Sequence, residues 1–511
     1  MNRLTDLTSA RSALAEFSWD QAWDLVDGDR ERLNIAHECL DRHPRETVAA
    51  RVAHADGGVR ETTFGELSDR TSRFAHWLAG HGVGPGARVA VMMEPSARFH
   101  TALFGAIKRG SVGVPLYTLF GPDSVAERLT DCGATLLVVD PEYASLAAGL
   151  DVEHLVYDDA FDTALADLPA DYRPDTAATD LAVLQYTSGT TRQLPEAVRH
   201  DHRSVVTLAR AALFGLGLRR GDRYFCPSSP AWGHGLWHGT VSPWLLGIAC
   251  GSYAGRFSVQ RLVTVLSDLK ITNLAAASTV YRMILGSGRA GELAGLRVAS
   301  YTGEELAAAA HDQFRAETGI PVCGMYGTTE TGVIIVNFPG YRDHVPHPEA
   351  LGKPMPGCEV AVLDDAGEPI SDGSLGEIAV RRGSTWFRTK DLGLLDDEGY
   401  FHYRGRADDV IISAGWTISP LEIERCLHSH PDVIEAGVAG VPDELRGLVV
   451  AAWVVGRRRD DDFVTELREY VQQRLSRHQY PRRITLVDAL PKTPNGKLDR
   501  RALRSAAPPV G

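Results

Sequence analysis

The chain alternates between short apolar runs and longer segments in which apolar positions recur every three to four residues. Residues 88–92 (R-V-A-V-M) read as a strand, 96–109 carry helical periodicity, and 111–116 (S-V-G-V-P-L) read as a second strand. Residues 123–132 then read as a helix capped by Asp123 or Ser124, and 134–139 as a third strand. Adjacent β-α-β units of this kind predict parallel sheets covered by helices, with ligands at the carboxyl ends of the strands. From 357 to 403 the rhythm shortens to strands separated by Asp/Gly turns, such as L-D-D-A-G at 363–367 and D-D-E-G at 396–399. That pattern predicts an antiparallel β-subdomain. After residue 409 it changes again, to a helix at 420–428, strands at 433–441 and 448–455, an amphipathic helix at 462–475 and a last strand at 483–487. The prediction is an α/β fold. A large N-terminal domain, residues 1–407, combines parallel sheets with the smaller β-subdomain, and a small α+β C-terminal domain follows at 408–511. No internal repeat and no attached carrier domain is evident, and the final A-A-P-P-V-G reads as a frayed tail.

Composition narrows the function classes. At 511 residues the chain exceeds what one core usually supports. A net charge of −13 argues against a nucleic-acid partner and requires any phosphate site to be locally cationic. The seven cysteines form no C-x-x-C pair, which suits a reducing cytoplasm and offers no metal framework. The start lacks an apolar signal core and no run approaches membrane-spanning length. The expectation is a soluble cytoplasmic protein without nucleic-acid or membrane partners.

Candidate chemistry begins at residues 186–191, Y-T-S-G-T-T, which follow the apolar run L-A-V-L-Q. A strand emptying into a loop of small hydroxyl residues leaves backbone N–H groups and hydroxyls able to surround phosphate oxygens, although such clusters are also ordinary turns. Four further motifs follow downstream: Y-G-T-T-E at 326–330, T-K-D at 389–391, G-R-A-D-D at 405–409 and P-N-G-K at 494–497. In this order and at these separations they resemble the signature series of the adenylate-forming superfamily, which includes acyl-CoA synthetases, firefly luciferase and peptide-synthetase adenylation domains. The resemblance spans nearly the whole chain.

The resemblance implies a role for each motif. Thr187, Ser188, Gly189, Thr190, Thr191 and Arg192 would surround the ATP phosphates. Tyr326 would stack on adenine within the Tyr326, Gly327, Thr328 turn, Thr329 would meet the α-phosphate, and Glu330 would be the Mg²⁺ ligand, a hard oxygen donor. Gly303 and Glu304 resemble the G-E segment on the nucleotide side. Asp391 would accept the ribose hydroxyls, and Arg406 would contact ribose or phosphate as a permanent cation. Lys497 would be delivered by a mobile C-terminal domain to the carboxylate and α-phosphate. Rotation about Asp408 would then remove it and bring in Gly415 and Trp416, which would line a tunnel for coenzyme A. The acid pocket is expected between residues 230–235 and the phosphate loop, lined by Trp232, His234, Gly235 and Trp237. His234 and His238 stand four apart but lack the carboxylate of an H-E-x-x-H zinc pattern, so they read as pocket lining. His200 and His202, beside Arg199 and Arg203, read as a solvated helix start.

Four departures from the family pattern stand out. The phosphate loop continues T-R-Q-L-P-E-A, losing a glycine, gaining a residue and carrying Glu196 where the family has lysine; Arg192 is the available cation. Lys390 replaces the glycine of T-G-D. Ile412 occupies a position often held by lysine. R-G-S-T-W at 382–386 runs straight into the T-x-D motif, omitting ~20 residues that most relatives carry. Residues 115–123 resemble the medium-chain synthetases.

The resulting expectation is an AMP-forming ligase using ATP, Mg²⁺ and coenzyme A, acting on an aromatic or medium-chain carboxylic acid, as a monomer or weak homodimer. The alternative is the same adenylation chemistry with another nucleophile, such as nitrite activation for diazotisation of an aromatic amine in natural-product biosynthesis.

Overall fold

Arg88–Met92, Val112–Pro115 and Ala134–Val139 form as read, side by side and parallel, with helix Ala97–Arg109 crossing between the first two. The helix starts where Ser96, in extended backbone, accepts the Phe99 amide. The computed structural model describes all residues except 1–2, 55, 187–196, 304–305, 329, 408, 410, 414–415, 444–446, 476–478, 494–497 and 506–511, and the backbone alone at 412, 413, 416, 417 and 447. The described chain divides into two compact units. One comprises Met1–Pro348 with Met355–Gly357, the other Glu349–Pro354 with Cys358–Gly511. Asp408, expected as the boundary, lies outside the described residues.

The first unit is built on parallel sheets. One runs His154–Val156, Ala134–Val139, Arg88–Met92, Val112–Pro115, Leu181–Tyr186, Ala197–Asp201, and only the last pairing is antiparallel. One of its faces buries Met92, Val114, Leu137, Val139 and Leu184 in a common cluster. In a second sheet, Tyr224–Phe225, Asn273–Ala277, Val298–Thr302 and Val322–Thr328 are parallel, and Gly332–Val336 returns antiparallel to the last. Near-continuous apolar strands are what a sheet covered on both faces demands.

One sequence expectation is corrected here. The helix after Val112–Pro115 is Pro122–Cys132, and its cap is Gly121, which contributes no side-chain bond. Proline at the first helical position has its φ already set and lacks the N–H that would go unbonded there. Asp123 instead lies in the first turn, where its charge meets the positive end of the helix dipole.

The second unit contains two sheets. Pro369–Ile370, Val360–Leu363, Gly376–Arg382, Thr385–Leu395 and Phe401–Arg406 are antiparallel throughout. Where the sequence runs straight into the T-x-D motif, the strands are joined by a two-residue turn, Gly383 and Ser384, with Arg382 facing Thr385. The other sheet orders Trp416–Ile418, Ile411–Ser413, Gly447–Gly456 and Val433–Asp443, with Arg483–Leu486 parallel to Gly447–Gly456. Helices Pro420–His428 and Asp461–Arg474 contribute Ile423, Leu427, Phe463, Leu467 and Val471 to its core.

Burial fixes the charge state of many histidines in the first unit. Desolvation pushes His100 and His234 down to about 3, and His43, His200, His202, His238 and His311 down to about 4. The unfolded chain binds protons near the ordinary histidine pKa, so between about pH 6.5 and pH 4 it holds more protons than the native state and stability falls as pH falls. At pH 5 each such histidine costs about 2 kcal/mol, and several together rival a typical total stability. Cooperative unfolding near pH 5 with uptake of several protons is expected in a far-UV circular dichroism titration; a protein fully folded at pH 4 would contradict it.

Candidate functional site

The candidate site starts where two parallel strands end together. Val322–Thr328 pairs with Val298–Thr302 so that Ser300 faces Cys323 and Tyr301 faces Gly324, and the Thr302 hydroxyl donates to the Met325 carbonyl at 3.2 Å. Continued by two residues, this register brings Gly303 level with half-buried Tyr326. A bulge between Tyr326 and Gly327 then turns the chain into Gly332–Val336. Only glycine fits at 327, because a Cβ there would lie 1.9 Å from the Gly332 carbonyl oxygen. The Thr328 N–H donates to Thr331 Oγ1 at 2.9 Å, and the Thr331 N–H to Thr328 Oγ1 at 3.2 Å. This reciprocal pair closes the turn that carries exposed Glu330.

Residues 232–238 adjoin the same strand end through Trp232. A Cβ on Gly303 would lie 3.5 Å from the Trp232 ring. Beyond Trp232 the chain enters a π-helix, His234–Val241, a wide turn found often at functional sites. Its first turn rests directly on the preceding backbone, since a Cβ on Gly235 would meet the Ser229 carbonyl oxygen at 2.1 Å. His234 Nδ1 lies 2.9 Å from Ser228 Oγ and 3.7 Å from Cys226 Sγ. The rings of Trp232 and His234 are 5.3 Å apart and those of His234 and His238 5.9 Å. Burial, and for His234 the neighbouring His238, keeps both imidazoles neutral. Among the described residues no group of three His, Cys, Asp or Glu side chains is arranged to hold a metal.

Gln185, which the sequence did not single out, and His200 tie this wall to the strand Leu181–Tyr186 and its antiparallel partner. Gln185, a polar position in the apolar run of Leu181–Tyr186, donates its Nε2 to the Ala231 carbonyl at 2.6 Å. His200 packs on Trp237 with ring centroids 4.5 Å apart. The expectation of a solvated helix start at His200 and His202 is therefore corrected. His200 lies on the strand Ala197–Asp201, which returns antiparallel to Leu181–Tyr186, and His202 is wholly buried, accepting the Ile35 N–H at Nδ1. A buried glutamine was the available signal; histidines flanked by arginines gave a misleading one.

In the second unit Asp391 and Arg406 face each other across Thr385–Leu395 and Phe401–Arg406. Arg406 Nη1 donates to Asp391 Oδ1 at 3.2 Å, and Asp391 is 6% exposed, a strand residue rather than a loop acid. Between Thr389 and Asp391, Lys390 takes a φ of 62°, the left-handed region that favours glycine. Its N–H donates to Glu377 Oε1 at 2.7 Å, and its carbonyl accepts the Ala407 N–H at 2.8 Å. Both flanks of residues 494–497 are anchored. Lys492 Nζ donates to Glu435 at 2.7 Å, the Asp499 N–H to the Pro491 carbonyl at 2.9 Å, and Arg500 Nη2 to both Glu424 oxygens at 2.7 and 2.6 Å. Arg504 pairs with Asp409 at 2.9 Å.

Thr187, Ser188, Gly189, Thr190, Thr191, Arg192, Glu304, Thr329, Asp408, Gly415 and Lys497 lie outside the described residues, and Trp416 is described as backbone within Trp416–Ile418.

Comparison with known proteins places this geometry among relatives. Residues 37–388 match the model of the AMP-binding enzyme family, and residues 422–497 that of the AMP-binding enzyme C-terminal domain. The chain is 30% identical to an acetyl-coenzyme A synthetase of Bacillus subtilis over 98% of this chain and 95% of the relative. It is 31% identical to a 3-hydroxybenzoate–CoA ligase of Aromatoleum sp. over 88% and 92%. A crystal structure of an anthranilate CoA ligase in complex with anthranoyl-AMP superposes with a TM-score of 0.85 at 27% identity, covering 95% of this chain and 98% of that one. A Brucella canis acyl-CoA synthetase superposes at 0.77 with 31% identity, over 98% and 99%.

The backbone at Lys390 generates a stability prediction. Lys390→Gly relieves the left-handed strain of a side-chain-bearing residue, offset by a more flexible unfolded chain, and should change stability by less than ~1 kcal/mol. Lys390→Val, β-branched in the same conformation, should cost about 1–2 kcal/mol. Urea denaturation of the two variants checks this, and equal stabilities would show that the position does not require the left-handed backbone.

Proposed function

The chain belongs to the AMP-binding enzyme family, and from that premise we propose that it is an ATP-dependent, AMP-forming ligase joining a carboxylic acid to the thiol of coenzyme A. The observation that carries the reading is the meeting of Trp232 with Gly303 at the strand end level with Tyr326. An aromatic wall for an acid and an aromatic platform for a nucleobase then adjoin, so an acid carboxylate and an α-phosphorus can share one small space.

In the first step a carboxylate oxygen attacks the α-phosphorus, the bond to the bridging oxygen breaks, and pyrophosphate leaves. Both reactants are anionic, so the protein's task is alignment and charge neutralisation. Tyr326 is assigned to the adenine face and Thr329 to the α-phosphate. Residues 187–192, with Arg192 as cation, are assigned to the outer phosphates. Asp391, held by Arg406, offers carboxylate oxygens as acceptors suited to ribose hydroxyls. Exposed Glu330, on a turn closed by Thr328 and Thr331, fits a Mg²⁺ that keeps most of its water, and the ion would supply charge neutralisation on phosphate oxygens. Lys497 is assigned to the carboxylate and α-phosphate oxygens.

In the second step the thiolate sulfur attacks the acyl carbonyl, and AMP leaves as the thioester forms. The proposed exchange is a rotation about Asp408 that withdraws Lys497 and brings in Gly415 and Trp416 along the pantetheine arm. Trp232, His234, Gly235 and Trp237 form a wall suited to an aromatic or medium-chain acid. Relatives named for 3-hydroxybenzoate and anthranilate support the aromatic choice. The proposed setting is the cytoplasm, with seven free cysteines, as a monomer or weak homodimer without nucleic-acid or membrane partners.

Pyrophosphate exchange into ATP should depend on a carboxylic acid, and added coenzyme A should yield the thioester and AMP. Exchange that requires nitrite, with an aryl amine as acceptor, would overturn the carboxylic-acid assignment. Lys497→Ala should slow adenylation about 10²–10³-fold, roughly 3–4 kcal/mol, while leaving ATP affinity and thioester formation from a supplied acyl-adenylate far less affected. Unchanged exchange would remove Lys497 from the mechanism. Asp408→Pro fixes one φ and should leave one half-reaction working and the other slowed. Normal rates for both half-reactions would exclude a hinge there.

A further inference from the structure

The acid-side wall contains polar atoms that the fold leaves unsatisfied. His234 Nε2, His238 Nδ1, Trp237 Nε1, Gln185 Oε1 and His200 Nε2 are each buried without a hydrogen-bond partner among the described residues. They belong to one neighbourhood. Gln185 is tied through its other amide atom to Ala231, next to Trp232, while His234 adjoins His238 and Trp237 packs on His200. Leaving a buried polar group unpaired is costly, and folds carry few such groups. Five in one neighbourhood, beside the Trp232–Gly303 contact, point to hydrogen bonds reserved for something bound. Trp232 and His238 are also partly exposed beside the buried His234 and Trp237, so solvent-accessible space reaches this wall.

The chemical character of these atoms narrows what they fit. Trp237 Nε1 can only donate and Gln185 Oε1 can only accept. The neutral imidazoles of His234 and His238 offer one donor or acceptor each, according to tautomer. None of the five groups carries a charge, so they provide no counter-ion for a second carboxylate. A wholly apolar alkyl chain would leave every one of them unpaired and dry. A hydroxyl or amino group can donate and accept at once, and a flat ring carrying it suits walls made of Trp232, Trp237 and the two imidazoles.

Resting on the adenylation reading above, we propose that the acid taken by this site is aromatic and bears a hydroxyl or amino substituent, and that His234, Trp237, His238 and Gln185 are the residues that recognise that substituent. A site built to hydrogen-bond a hydroxyl or amine discriminates strongly against the analogue lacking it, because its own polar groups then stay buried and unpaired.

The test is acid-dependent pyrophosphate exchange by the full-length protein. The panel is benzoate, the three hydroxybenzoates, the three aminobenzoates, hexanoate and octanoate. The best substituted benzoate should exceed benzoate and both alkanoates by about 10²-fold or more in kcat/KM. In a His234→Phe, Trp237→Phe double variant, which keeps aromatic rings and removes the polar atoms, that ratio should fall below about 10. If benzoate or an alkanoate comes within about threefold of every substituted acid in the wild-type protein, the inference fails while acid adenylation stands. If no carboxylic acid supports exchange, the adenylation reading itself fails, and the inference with it. The wild-type panel needs no variant, so a misfolded mutant cannot rescue the proposal.

Discussion

Parallel pairing between Val298–Thr302 and Val322–Thr328 is the constraint from which the rest of the candidate site is arranged. Hydrogen bonds along a parallel ladder fix the register, and the register decides that Gly303, just past the end of its own strand, stands level with Tyr326. At that edge the ladder stops and its polar groups need other partners. The Thr302 hydroxyl takes the Met325 carbonyl, and Thr328 and Thr331 bond each other. Gly327 has no side chain because the returning strand already occupies that volume. At Gly303, just past its strand end, a Cβ would approach the ring of Trp232, which precedes the π-helix His234–Val241.

Charge is organised locally against an unfavourable total. The chain carries −13 overall, yet Asp391 is held by Arg406 at a strand pair, and exposed Lys390 takes a left-handed backbone within the strand Thr385–Leu395. Around the π-helix the tendency is opposite, for burial keeps His234, His238 and His200 neutral. One strand pair thus carries charge, and one helical turn carries neutral polar groups.

Much of the scaffold was legible in the sequence because period is a robust signal. Strands Arg88–Met92 and Ala134–Val139 appear with the bounds read from their apolar runs, and the Asp/Gly turns marked the antiparallel sheet. The helix cap at Gly121 was missed because a capping side chain is visible in sequence and a backbone cap followed by proline is not. His202 was misjudged because flanking arginines suggest solvent, whereas the antiparallel return of Ala197–Asp201 carries it inward. The glycine-like backbone of Lys390 was legible through the family pattern alone, since lysine itself does not announce a left-handed conformation. The unsatisfied atoms of Gln185, Trp237 and His238 belong to packing, and no local pattern encodes them.

The residues on either side of 494–497 share one support. Ion pairs join Lys492 to Val433–Asp443 and Arg500 to Pro420–His428, and Arg504 joins the following helix to Asp409. Helix Pro420–His428 packs on strand Val433–Asp443 within a single core, so the two flanks depend on the same burial and not on separate footings. Damage to this helix–strand pair, even at a position far along the chain, would therefore release both flanks at once.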